Sequence, residues 1–372
     1  MTRHNIILRL DAEYINIGDK AIDMFALEFF SKIGRLTIIA PDYENFKKYI
    51  YPELKKNLGC FHSKCEVSVL PDIIDSCRPK HFKRKLLRNI EFLLNLIGFL
   101  GISALPLPIL VRSKNPLINL AIAIRKADML VFSGGGYLNE AWWKSTLIPL
   151  LVLSISAKLQ RIKVVLGPSS IGPVISRKFK LGLRLLFKQM DLAYVREPMS
   201  LIVVKDVSPK HLRVRLAKDW GLLRLLHCWY QYIATASDDV LAIHIRPPLK
   251  KELKEKYYKV IWNKIIQLKP KFIQIIIIAF QEEEYSYEFL DFIKNKGFDM
   301  EHVEIIKAQT YEELLIKVRA GTFMGSSFHF TLLGYVMKGT LIPIIIDDYH
   351  YTRVIGLRFL GIPFKEIIDF RG

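Results

Sequence analysis

The chain has 372 residues, 51% of them hydrophobic and 24% charged. That length suggests two or three domains, each with its own core, and that apolar fraction excludes an intrinsically disordered chain, which could not bury enough surface to offset backbone entropy. Lys and Arg number 55 against 36 Asp and Glu, a formal charge of +19, so an anionic partner is expected: nucleic acid, a membrane surface or a phosphorylated small molecule. Cys60, Cys65, Cys77 and Cys228 form no C-x-x-C pair, which argues against a disulfide framework or a zinc ribbon and for a reducing compartment.

In chain order, the first predicted strand is Asn5 to Leu10. Its apolar run is short and interrupted by Arg9, so it does not read as a signal peptide. A helix is predicted over 19–33 and a strand over 35–40. Further strands are expected at 129–132, 163–166 and 191–195, with helices over 142–159 and 175–190. After a loosely patterned stretch, 227–239, a second series begins. It has strands at 240–245, 272–279, 303–306, 322–324 and 341–346, and helices over 251–268, 286–295, 311–320 and 328–337. This alternation signals parallel sheets. The fold class is therefore α/β, with two Rossmann-like domains expected to face each other across a cleft in a GT-B-type architecture. Residues 1–230 form the expected acceptor side and residues 238–372 the donor side, whose last helix is expected to pack back on the first domain.

The first domain carries a basic and apolar insertion at about 80–114. No residue from Phe92 to Val111 is charged, and a stretch of that length can cross a bilayer. Asn95, two glycines, Pro106 and Pro108 oppose a spanning helix. Two readings stay open: a buried helix followed by a Pro-rich loop, and an interfacial helix whose flanks, Lys80 to Arg88 with Arg112 and Lys114, face anionic headgroups. Lys83, Arg84 and Lys85 are the cations expected to matter for the second.

Several strand-to-helix turns carry groups suited to chemistry. In Asn16-Ile17-Gly18-Asp19, Gly18 permits a tight turn; Asp19 either caps the helix or offers a carboxylate to a sugar hydroxyl. In Ser133-Gly134-Gly135-Gly136-Tyr137-Leu138-Asn139-Glu140, the three glycines either make a plain turn or bring N–H groups close to an anion ahead of a helix. The spacing is neither G-x-G-x-x-G nor a Walker motif. Another strand ends in Gly167-Pro168. Arg196, at the end of the fifth strand, either pairs with Glu197 or clamps a carboxylate or phosphate. Arg246 ends a strand in the second half. Gly325-Ser326-Ser327-Phe328-His329 opens a helix with Ser326 or Ser327 as N-cap, which places His329 in the first turn, facing any anion held there.

In this order the motifs resemble the polysaccharide pyruvyl transferase family: the N-x-G-D turn (Asn16, Gly18, Asp19), the sGGG-x-l-x-[DE] element (Ser133 to Glu140), Gly167-Pro168, and R-[DE]-x-x-S (Arg196, Glu197, Ser200). Asp219-Trp220, the strand ending at Arg246, the sSfH element (Ser326 to His329) and the strand from Pro343 follow. Two positions depart from the pattern: Phe328 stands where some members carry Arg, and Tyr349 with Arg353 stands where a Tyr and Lys are common. The resemblance implies transfer of pyruvate from phosphoenolpyruvate to two hydroxyls of a sugar, forming a ketal in a cell-surface glycan or its lipid-linked precursor. His329 and Asp19 are the expected catalytic groups. Asn16, Gly18, Gly134, Gly135, Gly136, Asn139, Arg196, Arg246, Ser326 and Ser327 are the expected substrate contacts. No metal or separate cofactor is expected, phosphoenolpyruvate serving as co-substrate. The protein is expected in the cytoplasm, peripheral to the membrane's cytoplasmic face.

Two alternatives remain at this level. One is a GT-B-type glycosyltransferase using a nucleotide sugar, for which Glu282, Glu283 and Glu284 are the candidate ribose or base contacts. The other is a family member that binds sugar phosphates without catalysis. A nucleic-acid-binding role is disfavoured, because the positive charges are dispersed and no basic and aromatic recognition element is present.

Overall fold

In the computed structural model, the described residues are 4–10, 16–41, 43–47, 67–72, 85–105, 115–140, 143–229, 236–247, 251–279 and 282–371. The expected Pro-rich loop after residue 105, the basic residues 80–84 and the flank Arg112 with Lys114 lie outside them. The chain divides into two compact units: Met1–Tyr14 with Ile22–Trp220, and Ile15–Ala21 with Gly221–Gly372. The division at Trp220 differs from the expected boundary near 230 because the helix that follows buries Leu225 and Cys228 in the second unit's core.

The first unit contains β1 (His4–Arg9), β2 (Gly34–Ala40), β3 (Val67–Pro71), β4 (Met129–Phe132), β5 (Gly135–Leu138), β6 (Lys163–Ile171), β7 (Leu192–Val195) and β8 (Arg213–Leu216). They form one parallel sheet in the order β3-β2-β1-β4-β6-β7-β8, with β5 paired beside the far end of β6. The helices are α1 (Ile17–Ile33), whose first turns belong to the second unit, α2 (Lys85–Ala104), α3 (Pro116–Lys126), α4 (Trp143–Leu159), α5 (Arg177–Lys188) and α6 (Pro198–Val207). Strands buried on both faces read as unbroken aliphatic runs, which is why β2, β4 and the start of β6 stand within a residue of expectation. Helix α4 is buried nearly all round, because α2, α3 and α5 pack against it over the sheet.

The second unit contains α7 (Trp220–Trp229), β9 (Ser237–His244), α8 (Lys251–Leu268), β10 (Phe272–Ile277), α9 (Glu283–Asn295), β11 (Val303–Lys307), α10 (Tyr311–Lys317), β12 (Ala320–Gly325), α11 (Phe328–Val336), β13 (Thr340–Ile345), α12 (Asp348–Phe359) and β14 (Ile368–Asp369). Its parallel sheet runs β11-β10-β9-β12-β13-β14. The last helix, α12, packs on β13 and α11 within this unit.

One element at the glycines was not expected. Between the predicted strand 129–132 and the predicted helix 142–159, Gly135–Leu138 forms a further strand, so the glycines do not lead directly into a helix; α4 begins at Trp143, one residue from its predicted start. Gly134 has φ +95, and a Cβ there would lie 2.6 Å from the Pro168 carbonyl oxygen. The glycines thus let β4 step across Gly167-Pro168 and rejoin β6 as β5, a backbone approach that no side chain would allow.

Candidate functional site

The second sheet reverses its direction of growth between β9 and β12: β10 and β11 lie to one side, β13 and β14 to the other. Open α/β sheets place ligands outside the carboxyl ends of their strands at such a reversal. Here β9 ends at His244, two residues before Arg246, and β12 ends at Gly325, followed by Ser326, Ser327 and α11. Ser327 is the N-cap, its Oγ accepting the Phe330 N–H at 3.5 Å. His329 therefore stands in the first turn, beside the helix end whose N–H groups and dipole favour an anion. It is 5% exposed.

The Asn16 turn completes this end of the unit. Asn16 bridges Ala279 beyond β10, and the Ile17 N–H donates to the Ile278 carbonyl at 3.1 Å. Asn16 Oδ1 accepts the Gly18 N–H at 2.8 Å, so Asn16 caps α1. The expectation of an Asp19 cap is corrected accordingly, and the half-buried Asp19 carboxylate in the first turn is left out of the cap. Gly18 presses its backbone on the His329 ring: a Cβ at position 18 would lie 1.9 Å from Nδ1 and 2.1 Å from Cγ. Two motifs more than three hundred residues apart in the sequence thus share one site.

Beside them Arg246, with 46% of its side chain exposed, lies 3.6 Å from the Glu282 carboxylate. Glu282 is buried; it accepts from His244 Nε2 at 2.8 Å and from the Ala279 N–H at 3.1 Å. Burial alone would raise its carboxyl, but the adjoining His244 and Arg246 hold it below the usual carboxylate range. The Arg246 N–H donates to the Tyr257 hydroxyl at 3.3 Å, and burial pushes that phenol up. Past β13, Asp347 caps α12, accepting the His350 N–H at 2.9 Å and facing His350 Nδ1 at 2.6 Å. Burial would raise the Asp347 carboxyl, yet His350 and, more weakly, Arg246 bring it down to about 2. The His350 imidazole is held below its ordinary value, first by burial and further by Arg246 and Arg353. Glu282 thus holds one side of the Arg246 guanidinium while nearly half of the side chain stays exposed, an arrangement that suits an anion.

The expected residues of the first unit have other surroundings. Gly134 and Gly135 are buried in the step between β4 and β5, and Asn139 Nδ2 closes that turn on the Gly136 carbonyl at 3.0 Å. Glu140 accepts from the Ile175 and Ser176 N–H groups at the start of α5; the hydrogen bonds from Ser176 and Ile175 hold its carboxyl low. Arg196 is 1% exposed; its Nε donates to Ser170 Oγ at 2.6 Å and its Nη1 to Asp219 at 2.7 Å. Glu197 lies 3.7 Å away and accepts from Ser170 and Ser200. These partners make Arg196 the centre of a buried ion network, which corrects the expectation that it clamps substrate. Removing one partner of such a network leaves buried carboxylates uncompensated. Arg196→Met is therefore expected to cost about 3–5 kcal/mol of stability, read as a lower denaturant midpoint. A midpoint within about 1 kcal/mol of wild type would return Arg196 to the substrate.

Sequence reasoning passed over His244, Tyr257, Asp347 and His350. The signal for His244 was present in Ala242-Ile243-His244-Ile245-Arg246: alternate residues of a strand share a face, so the residue two before a strand-end arginine belongs beside it. Among the described residues no group of three or more His, Cys, Asp or Glu side chains is arranged to hold a metal ion.

A family model described as polysaccharide pyruvyl transferase matches residues 27–348. That range includes Arg246 and Ser326 to His329, whereas Asn16, Gly18 and Asp19 precede it and join the site through the fold. Among curated proteins, none matches the sequence. Among solved structures, the UDP-GlcNAc 2-epimerase of Methanocaldococcus jannaschii superposes with a TM-score of 0.55 at 13% identity, covering 98% of this chain and 87% of that one. The Neisseria meningitidis UDP-GlcNAc 2-epimerase gives 0.52 at 10% identity, over 94% and 85% of the two chains. A glycosyltransferase from Rickettsia africae ESF-5 gives 0.51 at 10%, over 93% and 80%. At these identities the likeness is one of fold, the GT-B type.

Proposed function

The chain belongs to the polysaccharide pyruvyl transferase family, and from that premise we propose that it moves the pyruvyl group of phosphoenolpyruvate onto two hydroxyls of a sugar, in a cell-surface glycan or its lipid-linked precursor. Phosphoenolpyruvate carries a carboxylate and a phosphate, so a site for it needs a cation and a second anion-binding element. Arg246 supplies the first. The N-terminus of α11, with Ser326 and Ser327, supplies the second. The observation that carries the reading is the contact of the Gly18 backbone with His329, which sets the residue next to Asp19 against the group facing the anion site.

In the proposed reaction His329 delivers a proton to the methylene carbon of phosphoenolpyruvate, and positive charge develops at the carbon bearing the phosphate. A sugar hydroxyl adds there, giving up its proton to Asp19. Phosphate then leaves with the C–O electron pair, and the second hydroxyl closes the ketal. Of the two hydroxyl protons released, one replaces that taken from His329 and one departs with phosphate, so the site ends as it began. Arg246 and the N–H groups of α11 stabilise the charge on carboxylate and departing phosphate. Phosphoenolpyruvate is a cytoplasmic metabolite, and the reaction is placed in that compartment.

A ligand that binds only the native state raises stability by about 2.7 kcal/mol at one hundred times its Kd. Thermal melts with phosphoenolpyruvate, UDP-sugars and GDP-sugars test the reading. Stabilisation by phosphoenolpyruvate, weakened in Arg246→Ala, is the expected result. Stabilisation by a nucleotide sugar with no response to phosphoenolpyruvate would instead favour glycosyl transfer.

A further inference from the structure

Helix α2 is apolar on two opposite faces, one packed inward and one turned outward. Leu96, Phe99 and Ser103 are buried toward α3 and α4, and the Ser103 carbonyl accepts from Arg125 of α3 and from Gln160, the residue just past the end of α4. The opposite face is also apolar: Leu94 is 61% exposed and Ile97 57%, with Leu93, Gly98, Gly101 and Ala104 continuing the same stripe. A soluble helix normally turns charged residues to water there, yet none occurs between Phe92 and Val111.

Helix α5 packs against the same α4, close enough that a Cβ on Gly182 would lie 2.5 Å from Leu147. Its outward face repeats the spacing of α2 with different chemistry. Arg177, Lys178, Arg184 and Lys188 are exposed there together with Leu181 and Leu185, and the helix contains no acidic residue. Ile175, immediately before it, is 80% exposed. We infer that these two helices dock the protein on an anionic lipid surface, with the apolar face of α2 entering the headgroup boundary and the cations of α5 pairing with lipid phosphates. Cations that flank inserted leucines complement a bilayer carrying acidic headgroups. Among the described residues no helix is long and apolar enough to cross a membrane; the contact inferred is an interfacial one. This surface is separate from the groups assigned to pyruvyl transfer, and the inference stands or falls without that reading.

The test is co-sedimentation of the full chain with vesicles of phosphatidylcholine, alone or mixed with phosphatidylglycerol. Wild type is expected to bind the mixed vesicles more tightly, and less tightly as salt rises. Leu94→Gln with Ile97→Gln is expected to lower binding more than tenfold. Arg184→Gln with Lys188→Gln is expected to lower it about fivefold for each charge, on the mixed vesicles only. All four positions are exposed, so melting temperatures should match wild type and exclude misfolding as the cause. Failure of wild type to bind the mixed vesicles, or binding that neither variant changes, would overturn the inference. A shift of oligomeric state in Leu94→Gln with Ile97→Gln at unchanged vesicle binding would overturn it too, and would assign the α2 face to a second copy of this chain.

Discussion

His329→Ala is expected to lower phosphate release from phosphoenolpyruvate by about 10²–10⁴-fold, the range for losing a positioned general acid. The ring is in the first turn of α11, behind the Ser327 cap and against Gly18. An alternative account, in which His329 only fills space, is separated by a second variant. His329→Gln retains a side chain of similar reach and a hydrogen-bonding head but cannot exchange a proton near neutral pH. If the ring acts as an acid, Gln is as slow as Ala. If it only packs, Gln recovers most of the rate, and Ala alone shows both lower stability and lower activity. Phosphate release within threefold of wild type in both variants would remove His329 from the chemistry.

What the sequence made legible followed from burial. Helix α8 stands at its predicted ends, and β4 likewise, because aliphatic runs and helical periodicity report which face meets a core. Strands whose residues do not report this were missed. The edge strand β8, Arg213–Leu216, alternates cations with partly exposed aliphatics, and β5 begins with two glycines that carry no side-chain signal. The site divides in the same way. Ser327 as cap and His329 in the first turn follow from local rules of helix initiation. That Asn16 rather than Asp19 caps α1, and that this turn belongs with the second unit, depends on a crossing that pairs Asn16 with Ala279, which no local pattern encodes. Arg196 misled for a related reason. A strand-end arginine looks the same in sequence whether it faces a ligand or, as here, Ser170 and Asp219 from neighbouring segments of the chain.

Gly18→Ala is the substitution for which local and tertiary rules oppose each other most directly. Gly18 lies inside α1, and at an ordinary helical position alanine is favoured over glycine by up to about 1 kcal/mol. Here the new methyl would lie 1.9 Å from His329 Nδ1, far inside contact distance, so the imidazole has to leave its place. A displacement near 1 Å costs on the order of 10²-fold in rate when it affects a reacting group. Gly18→Ala is therefore expected to lower turnover about a hundredfold. Stability falls as well, because the displaced ring is buried and has little free volume to enter. The double variant Gly18→Ala with His329→Ala gives the decisive sign. With the ring gone the three atoms nearest the methyl are gone, the helical preference is no longer opposed by them, and the double variant should be more stable than His329→Ala alone by up to about 1 kcal/mol. The same alanine is thus destabilising in one background and stabilising in the other, a coupling that distant, independent sites do not show. Additive stabilities across the cycle, measured by denaturant unfolding, would mean that Gly18 and His329 do not meet in solution, and the site built on their contact would have to be abandoned.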